Sequence, residues 1–100
     1  MDHKDYMRRA LELAAQAGAE GDVPVGCVIV RDGAIVGEGR NRREETQTTV
    51  SHAEMEAIAQ ANRTLGTWRL DDCELYVTLE PCPMCAGAIL NARIRRVWYG

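Results

Sequence analysis

The sequence predicts an α/β domain in which helices cover both faces of a mixed β-sheet. An amphipathic helix precedes a hairpin of two apolar segments, and the second half of the chain alternates strand, helix and strand. This order of elements is typical of a three-layer α/β/α sandwich. With 100 residues, of which 46% are hydrophobic and 27% charged, the chain has the size and composition of one globular domain. We therefore expect residues 1–100 to form a single domain.

The first half of the chain predicts a helix followed by an antiparallel hairpin. Apolar residues recur at helical spacing over residues 4–19. The unbroken apolar run over residues 25–30 is typical of a strand that is buried on both faces, and residues 34–39 supply the return strand. Asp32 and Gly33 stand between the two strands, and this dipeptide favours a two-residue hairpin turn.

A polar segment without periodicity, residues 40–51, predicts a loop before the second helix. Ser51 is a favourable N-cap for that helix, and Glu54, three residues later, would complete a capping box. Apolar residues at helical spacing continue the helix as far as Gly66, a residue type that commonly ends helices.

The remaining residues predict a β-α-β unit. Residues 74–79 are typical of a strand, and residues 84–92 are typical of an apolar helix that begins after two prolines. A fourth strand begins at Val97, and the sequence stops at Gly100. Because a helix connects the last two strands, we expect them to be parallel.

The charge balance does not predict an overall basic surface. The formal net charge is −3 and the sequence pI is about 5.3, whereas proteins that bind nucleic acid usually show an excess of basic residues. Arginines are nevertheless clustered in two places, at residues 40–43 and at residues 93–96. Each cluster is interpreted either as a solvated face or as a local contact for nucleic acid.

The first residues and the cysteines indicate a cytoplasmic protein. The first nine residues are polar and charged and lack the apolar region of a secretory signal. No stretch of the sequence approaches the length of a membrane span. Disulfides are rare in the cytoplasm, and clustered cysteines there more often bind metal.

Two short segments carry the predicted chemistry. One is His52-Ala53-Glu54, and the other is Pro81-Cys82-Pro83-Met84-Cys85. The combination H-x-E followed by P-C-x-x-C is the established signature of zinc-dependent nucleobase deaminases. The first segment alone has little specificity, and its weight comes from the two cysteines downstream.

The donor set fits catalytic zinc better than structural zinc. Cys82 and Cys85 lie three residues apart at a helix start, which places both sulfurs on one face of the first turn, where the helix N-terminus favours thiolates. Together with His52 they give three ligands for one zinc ion per subunit. Catalytic zinc has three protein ligands and an open position for water, whereas structural zinc has four. No fourth ligand is spaced to complete this site.

Glu54 is the predicted proton shuttle. A separation of two residues on a helix corresponds to about 200° of rotation, so His52 and Glu54 can both reach one metal only at the helix start. There Glu54 would take a proton from the activated water and deliver it to the ring nitrogen and the departing amine. The attacked atom is C6 of adenine or C4 of cytosine. We expect the two helix starts to meet at the ends of the first and third strands.

The same residues have other interpretations. A CxxC pair in a cytosolic protein also occurs as a redox pair. A non-catalytic zinc-stabilised module that binds RNA or a partner is an alternative from another class, although a structural site has no use for Glu54. Cys27 and Cys73 lie in or beside predicted strands. We expect Cys27 to be a buried small apolar residue and Cys73 to be a structural or surface thiol, and neither to be a ligand.

The run from Leu75 to Gly100, above all Leu-Glu-Pro-Cys-Pro-Met-Cys-Ala-Gly-Ala, closely resembles the bacterial tRNA adenosine deaminases of TadA type. Residues 23–26 and 37–42 and the segment His52-Ala-Glu54 share this resemblance. It implies the cytidine deaminase-like fold, a homodimer, and conversion of the wobble adenosine of a tRNA anticodon stem-loop to inosine. Members of this family continue past the fourth strand, so we expect the chain to lack their C-terminal elements.

The resemblance also implies roles for individual residues. The implied zinc ligands are His52, Cys82 and Cys85, the proton shuttle is Glu54, and the substrate contacts are Asn41, Val25 and Ala53. Without the resemblance, Asn41 at the end of a strand is typical of a turn. Within the same chemistry, the alternative function is a free-base or nucleoside deaminase that acts on guanine or cytosine.

Overall fold

The computed structural model of the protein describes residues 2–100, which form a four-stranded mixed sheet with helices on both faces. In chain order the elements are α1 (His3–Ala19), β1 (Gly26–Arg31), β2 (Ala34–Arg40), α2 (Arg43–Thr46), α3 (Ala53–Leu65), β3 (Glu74–Val77), α4 (Pro83–Ala92) and β4 (Arg96–Tyr99). The strand order across the sheet is β2-β1-β3-β4. β1 is antiparallel to β2 and β3, and β3 is parallel to β4, so the predicted fold class and strand directions are confirmed.

The central strand β1 is buried on both faces, as its unbroken apolar run predicts. Its alternate residues point to opposite sides of the sheet. Val28 and Val30 pack with the residues of α1, whereas Cys27 and Ile29 join a larger core formed with α3 and α4. The sheet therefore has an apolar core on each of its two faces.

The turn between β1 and β2 has the backbone conformation that Asp-Gly favours. Asp32 has a φ of 51° and Gly33 a φ of 79°, and positive φ at both central residues characterises the type I′ hairpin turn. The register of the hairpin shifts between Ile29 and Val30. The predicted hairpin is confirmed, with β2 extended by one residue to Arg40.

The segment between β2 and α3 differs from its prediction. It contains the short helix α2, and α3 has His52 rather than Ser51 as its N-cap. The predicted capping box is therefore wrong. The hydroxyl of Ser51 instead accepts a hydrogen bond from the hydroxyl of Thr46 at 2.9 Å. The amide of Ala53 donates to the side chain of Asn41 at 2.8 Å, so a residue from the preceding strand end caps the helix.

β3 ends at Val77, two residues earlier than predicted. The amide of Thr78 still donates to the carbonyl of Gly26, and the chain then turns away from the sheet. Leu79 is consequently 56% exposed. Among residues 2–100, none of the helices combines the length and the apolar character that a membrane span requires.

Candidate active site

The helices α3 and α4 begin side by side at the end of the sheet where β3 ends. His52 is the N-cap of α3 and Cys82 is the N-cap of α4, and both have extended backbone conformations. Pro83 occupies the first position of α4, where its missing N–H costs no helical hydrogen bond. The two helix starts meet, as predicted, beside the end of β3, and two segments about thirty positions apart in the chain come into contact. The predicted position at the end of β1 is wrong, because β1 is antiparallel to β3 and its beginning, not its end, adjoins the site.

The side chains of His52, Cys82 and Cys85 converge, and their donor atoms all lie within 4.8 Å of one another. The Nδ1 atom of His52 is 3.6 Å from the sulfur of Cys82 and 3.5 Å from the sulfur of Cys85. Bonds of about 2.3 Å to sulfur and 2.0–2.1 Å to nitrogen, arranged tetrahedrally around zinc, separate the two atoms by about 3.6 Å. The donor set therefore fits zinc both in chemistry and in spacing.

Without a cation, the environment disfavours thiolates at this place. Burial raises the pKa of the Cys85 thiol far above its usual range, and the nearby charges of Glu54 and Cys82 raise it further. Burial likewise raises the pKa of the Cys27 thiol, which lies beneath the site on β1. A divalent cation supplies the positive charge that such a site needs to hold sulfur in its deprotonated form.

Glu54 lies beside the three donors. It is the second residue of α3, and only 4% of its surface is exposed. Because His52 precedes the helix with an extended backbone, it does not follow the helical rotation that would separate it from Glu54. The carboxylate lines the same cavity as His52 and Cys82, so it can exchange protons with a molecule held there.

Asn41 connects the end of β2 to the start of α3. It is 93% buried, its backbone amide donates to the carbonyl of Val25 at 3.1 Å, and its side-chain oxygen accepts the amide of Ala53. That bond fixes which end of the side-chain amide faces the helix. The NH₂ group has no hydrogen-bond partner in the protein. Every fully buried side-chain nitrogen of residues 2–100 does have such a partner. The NH₂ group therefore stays accessible from the cavity.

A cavity of about 180 Å³ joins these residues. The residues lining it are Val23, Val25, Asn41, Arg43, His52, Glu54, Leu79, Glu80 and Cys82. Ala53 does not line the cavity, because it is fully buried and its amide is bound to Asn41. Four of the lining residues, Val23, Leu79, Glu80 and Arg43, had no predicted role in the site. The first three nevertheless lie within the segments that carry the resemblance, and Arg43 lies within the first arginine cluster.

The two arginine clusters have different environments. Arg40 forms an ion pair with Glu20, and Arg42 lies within ion-pair distance of Glu45 and Glu56. The second cluster, residues 93–96, follows the C-terminal end of α4. At a rise of 1.5 Å per residue, the 10 residues of α4 separate this end from the helix start by about 15 Å. Of the two clusters, only the first therefore reaches the cavity.

Cys73 is remote from the site and is fully buried beside Asp72. Burial raises the pKa of its thiol to about 11. Cys27 is also fully buried within the larger core. Cys27 thus has the buried environment predicted for it, whereas Cys73, predicted as a structural or surface thiol, is fully buried. Among residues 2–100 the potential metal ligands that cluster are His52, Cys82 and Cys85.

Residues 1–100 match the family described as the cytidine and deoxycytidylate deaminase zinc-binding region. The chain belongs to this family, so zinc is its cofactor, and His52, Cys82 and Cys85 form the group that can hold it.

Curated relatives refine this class. The chain is 48% identical over 95 residues to a tRNA-specific adenosine deaminase of Bacillus subtilis, an alignment that covers 95% of this chain and 59% of that protein. A similar enzyme of Streptococcus pyogenes is 52% identical, with 95% of this chain and 60% of that protein covered. The predicted resemblance is confirmed, and the chain spans about three fifths of the length of these relatives.

Solved structures share the fold closely. A guanine deaminase from Bacillus subtilis matches with a TM-score of 0.96 and 46% identity, covering 100% of this chain and 64% of the other. A structure from work on A-to-I editing by tRNA:A34 deaminases at the wobble position also has a TM-score of 0.96 and 46% identity, covering 98% and 71%. Fold similarity alone therefore does not distinguish the two substrates.

Proposed function

We propose that the protein is a zinc-dependent hydrolytic deaminase that converts the wobble adenosine of a tRNA anticodon stem-loop to inosine. The observation that carries this proposal is the convergence of three zinc-type donors, a buried carboxylate and a fixed side-chain amide on one small cavity. The tRNA-specific adenosine deaminases at 48% and 52% identity support the choice of substrate. Residues 1–100 would form the catalytic domain, acting in the cytoplasm.

His52, Cys82 and Cys85 would hold the metal ion. When bound, zinc lowers the pKa of a coordinated water from 15.7 to about 7 and so supplies a nucleophile at neutral pH. Within residues 2–100 no fourth potential ligand clusters with these three, so the metal would have an open position for that water. His3, the remaining histidine, contacts Tyr76 instead.

Glu54 would move the protons. In the reaction a water oxygen forms a bond to C6 of the purine, the bond from C6 to the amine breaks, and ammonia leaves. Glu54 accepts a proton as the water attacks, and it delivers protons to the ring nitrogen and the departing amine. Its buried position next to the donors keeps the carboxylate oriented towards the reacting atoms.

Asn41 and Val25 would position the base. The NH₂ group of Asn41 can donate to an acceptor nitrogen on the ring, and Val25 offers an apolar wall for its face. Ala53 would contribute indirectly, because its amide fixes the orientation of Asn41. The cavity of about 180 Å³ is smaller than the roughly 300–1,000 Å³ typical of sites for drug-sized ligands, which suits one base.

The experiment is a substrate panel with the zinc-loaded protein. We expect inosine to form in an anticodon stem-loop with adenosine at the wobble position, and no product from free adenosine, cytidine or guanine. The matched substrate control is the same stem-loop with cytidine at that position. Absence of inosine from the adenosine stem-loop contradicts the proposal.

Guanine deamination is the second candidate. It is favoured by the Bacillus subtilis guanine deaminase, which is 47% identical over 102 residues and of which the chain covers 64%. The same three donors, Glu54 and Asn41 would serve that reaction. Conversion of free guanine to xanthine, with no inosine formed in the stem-loop, identifies this alternative.

We further propose that the protein acts as a homodimer that packs through α4. Ala92 is buried within its own subunit, but Ala86 and Leu90 face outward, and Leu90 is 72% exposed. Gly87 has no atom within 4 Å of the position that a Cβ would take, so another chain can approach closely there. Sedimentation that shows only an 11.1 kDa species at micromolar concentrations contradicts a dimer.

A further inference from the structure

A single basic side chain stands at the mouth of the candidate active site. Among the cavity-lining residues within the described part of the chain, Arg43 is the one arginine or lysine. It is the first residue of α2 and is exposed to solvent. Glu54 lines the cavity and is buried, so the interior disfavours anions, whereas Glu80, which also lines it, is exposed to solvent as Arg43 is. Arg43 therefore supplies the positive charge that a negatively charged group would meet at the mouth.

The guanidinium of Arg43 has no partner of its own. Its neighbours Arg40 and Arg42 are held by glutamates at 2.7 Å and 2.5 Å. Arg43, by contrast, forms neither an ion pair nor a side-chain hydrogen bond with any residue in the range 2–100. Its charge and its five N–H donors are therefore available to a ligand.

Arg43 also connects the cavity to a second depression. This depression of about 380 Å³ runs along α2 and the following loop, and Arg43, Gln47 and Thr48 are among the residues that line it. Gln47 and Thr48 donate to carbonyls within the same segment. Arg43 is thus the free donor at the junction between a cavity that fits one base and a surface depression that leads away from it.

We propose that Arg43 binds the phosphodiester next to the target nucleotide and thereby selects a base carried in a nucleic-acid strand over a free base. This inference rests on the proposed function and names the residue that reads the strand. A guanidinium matches a phosphate group through two parallel N–H···O bonds, which a lysine cannot reproduce. Val23 and Leu79, which line the same cavity and are 46% and 56% exposed, give the entrance apolar surface for the sugar and a neighbouring base.

The test combines one substitution with one change in the substrate. Deamination of the anticodon stem-loop is compared for the wild type and R43A, with either a phosphodiester or an uncharged methylphosphonate on each side of the target adenosine. We expect R43A to lower kcat/KM by about tenfold or more through KM, as for a lost hydrogen bond to a charged group. The loss should vanish on one of the two methylphosphonate substrates, because the phosphate charge is then already absent.

Two further variants separate a phosphate contact from a general effect of charge. Arg63, in the last turn of α3, is also exposed and lies outside the cavity, so R63A should match the wild type. R43K should recover only part of the activity, because it restores the charge and not the planar fork. The slope of log affinity against log salt should decrease by about 0.7 in R43A, the value for one contact to a single strand.

Binding measured without turnover keeps this inference separate from the proposed function. In E54Q protein, fluorescence anisotropy with a labelled stem-loop should show weaker binding when R43A is added and no change with R63A. If the wild type makes inosine but R43A behaves as the wild type on every substrate, the role of Arg43 is wrong and the proposed function stands. If the wild type makes no inosine but R43A still weakens binding, the proposed function fails and the contact stands. If neither effect is seen, both fail.

Discussion

The substitution Gly39→Ala tests how the sheet positions the site. A Cβ atom at Gly39, in β2, would lie 2.2 Å from the carbonyl oxygen of Ala53 and 2.6 Å from the amide nitrogen of Ala57. Both are backbone atoms of α3, so no side-chain rotation relieves the overlap. Reaching the ~3.5 Å at which heavy-atom contacts become favourable requires a displacement of about 1 Å.

That displacement falls on the first residue of α3, which stands between His52 and Glu54 and whose amide binds Asn41. Overpacking of this kind lowers the free energy of unfolding by about 1–3 kcal/mol. A misplacement of about 1 Å at a catalytic centre costs roughly 10²-fold in rate. We therefore expect Gly39→Ala to lower both the stability and kcat, and to weaken zinc binding.

The assay is urea unfolding with and without zinc, together with a zinc competition titration. Gly18→Ala is the matched control, because the added methyl on α1 meets only the Cβ atom of Pro24, at 3.4 Å. Replacing glycine by alanine inside a helix stabilises by up to about 1 kcal/mol. If Gly39→Ala unfolds at the wild-type urea concentration and binds zinc equally well, the close approach of β2 does not position α3, and this reasoning is refuted.

Substitutions at Glu54, Cys82 and Asn41 separate the proposed roles of these residues. Glu54→Gln should keep the fold and the zinc but lose activity by about 10²–10⁴-fold. The control Glu56→Gln, on the same helix turn, should have nearly wild-type activity. Near-normal activity of Glu54→Gln would show that Glu54 is not the proton shuttle. Cys82→Ala should lose zinc, measured by metal analysis after dialysis, and full retention of one zinc per chain would exclude this cysteine as a ligand. Asn41→Ala should lose about 0.5–2 kcal/mol of stability as a lost helix cap, and it should also lose activity. Asn41→Asp keeps the acceptor for Ala53, so it should lose activity with a smaller loss of stability; wild-type activity of Asn41→Asp would show that Asn41 acts only as a cap.

Much of the fold followed from local patterns. The structure has the arrangement that each of three patterns favours. The apolar run of β1 is a buried strand, the Asp-Gly turn closes an antiparallel hairpin, and the strands joined by α4 are parallel. The start of α3 did not follow, because its cap comes from Asn41, twelve residues upstream of Ala53. Ser51 has the right residue type for a cap, and only the tertiary structure shows that its hydroxyl is bonded elsewhere.

The three candidate metal ligands could be named from the sequence because they stand in two short segments of it. The convergence of His52 with Cys82 and Cys85 was expected from the demands of zinc, and the structure brings the three together. The mouth of the cavity was not predicted. Arg43 lies in a segment without periodicity, and its difference from Arg40 and Arg42 depends on which glutamates fold against them. No sequence pattern distinguishes a free arginine from a paired one.

X-ray absorption at the zinc edge tests the three-ligand site most directly. The chain contains four cysteines and two histidines, so the possible ligand sets are few. For the zinc-loaded protein we expect two sulfurs, one imidazole nitrogen and one further light atom that the protein does not supply, which is the open position of a catalytic site. A third sulfur or a second imidazole would mean that four protein ligands close the site, which would contradict hydrolytic deamination at this centre.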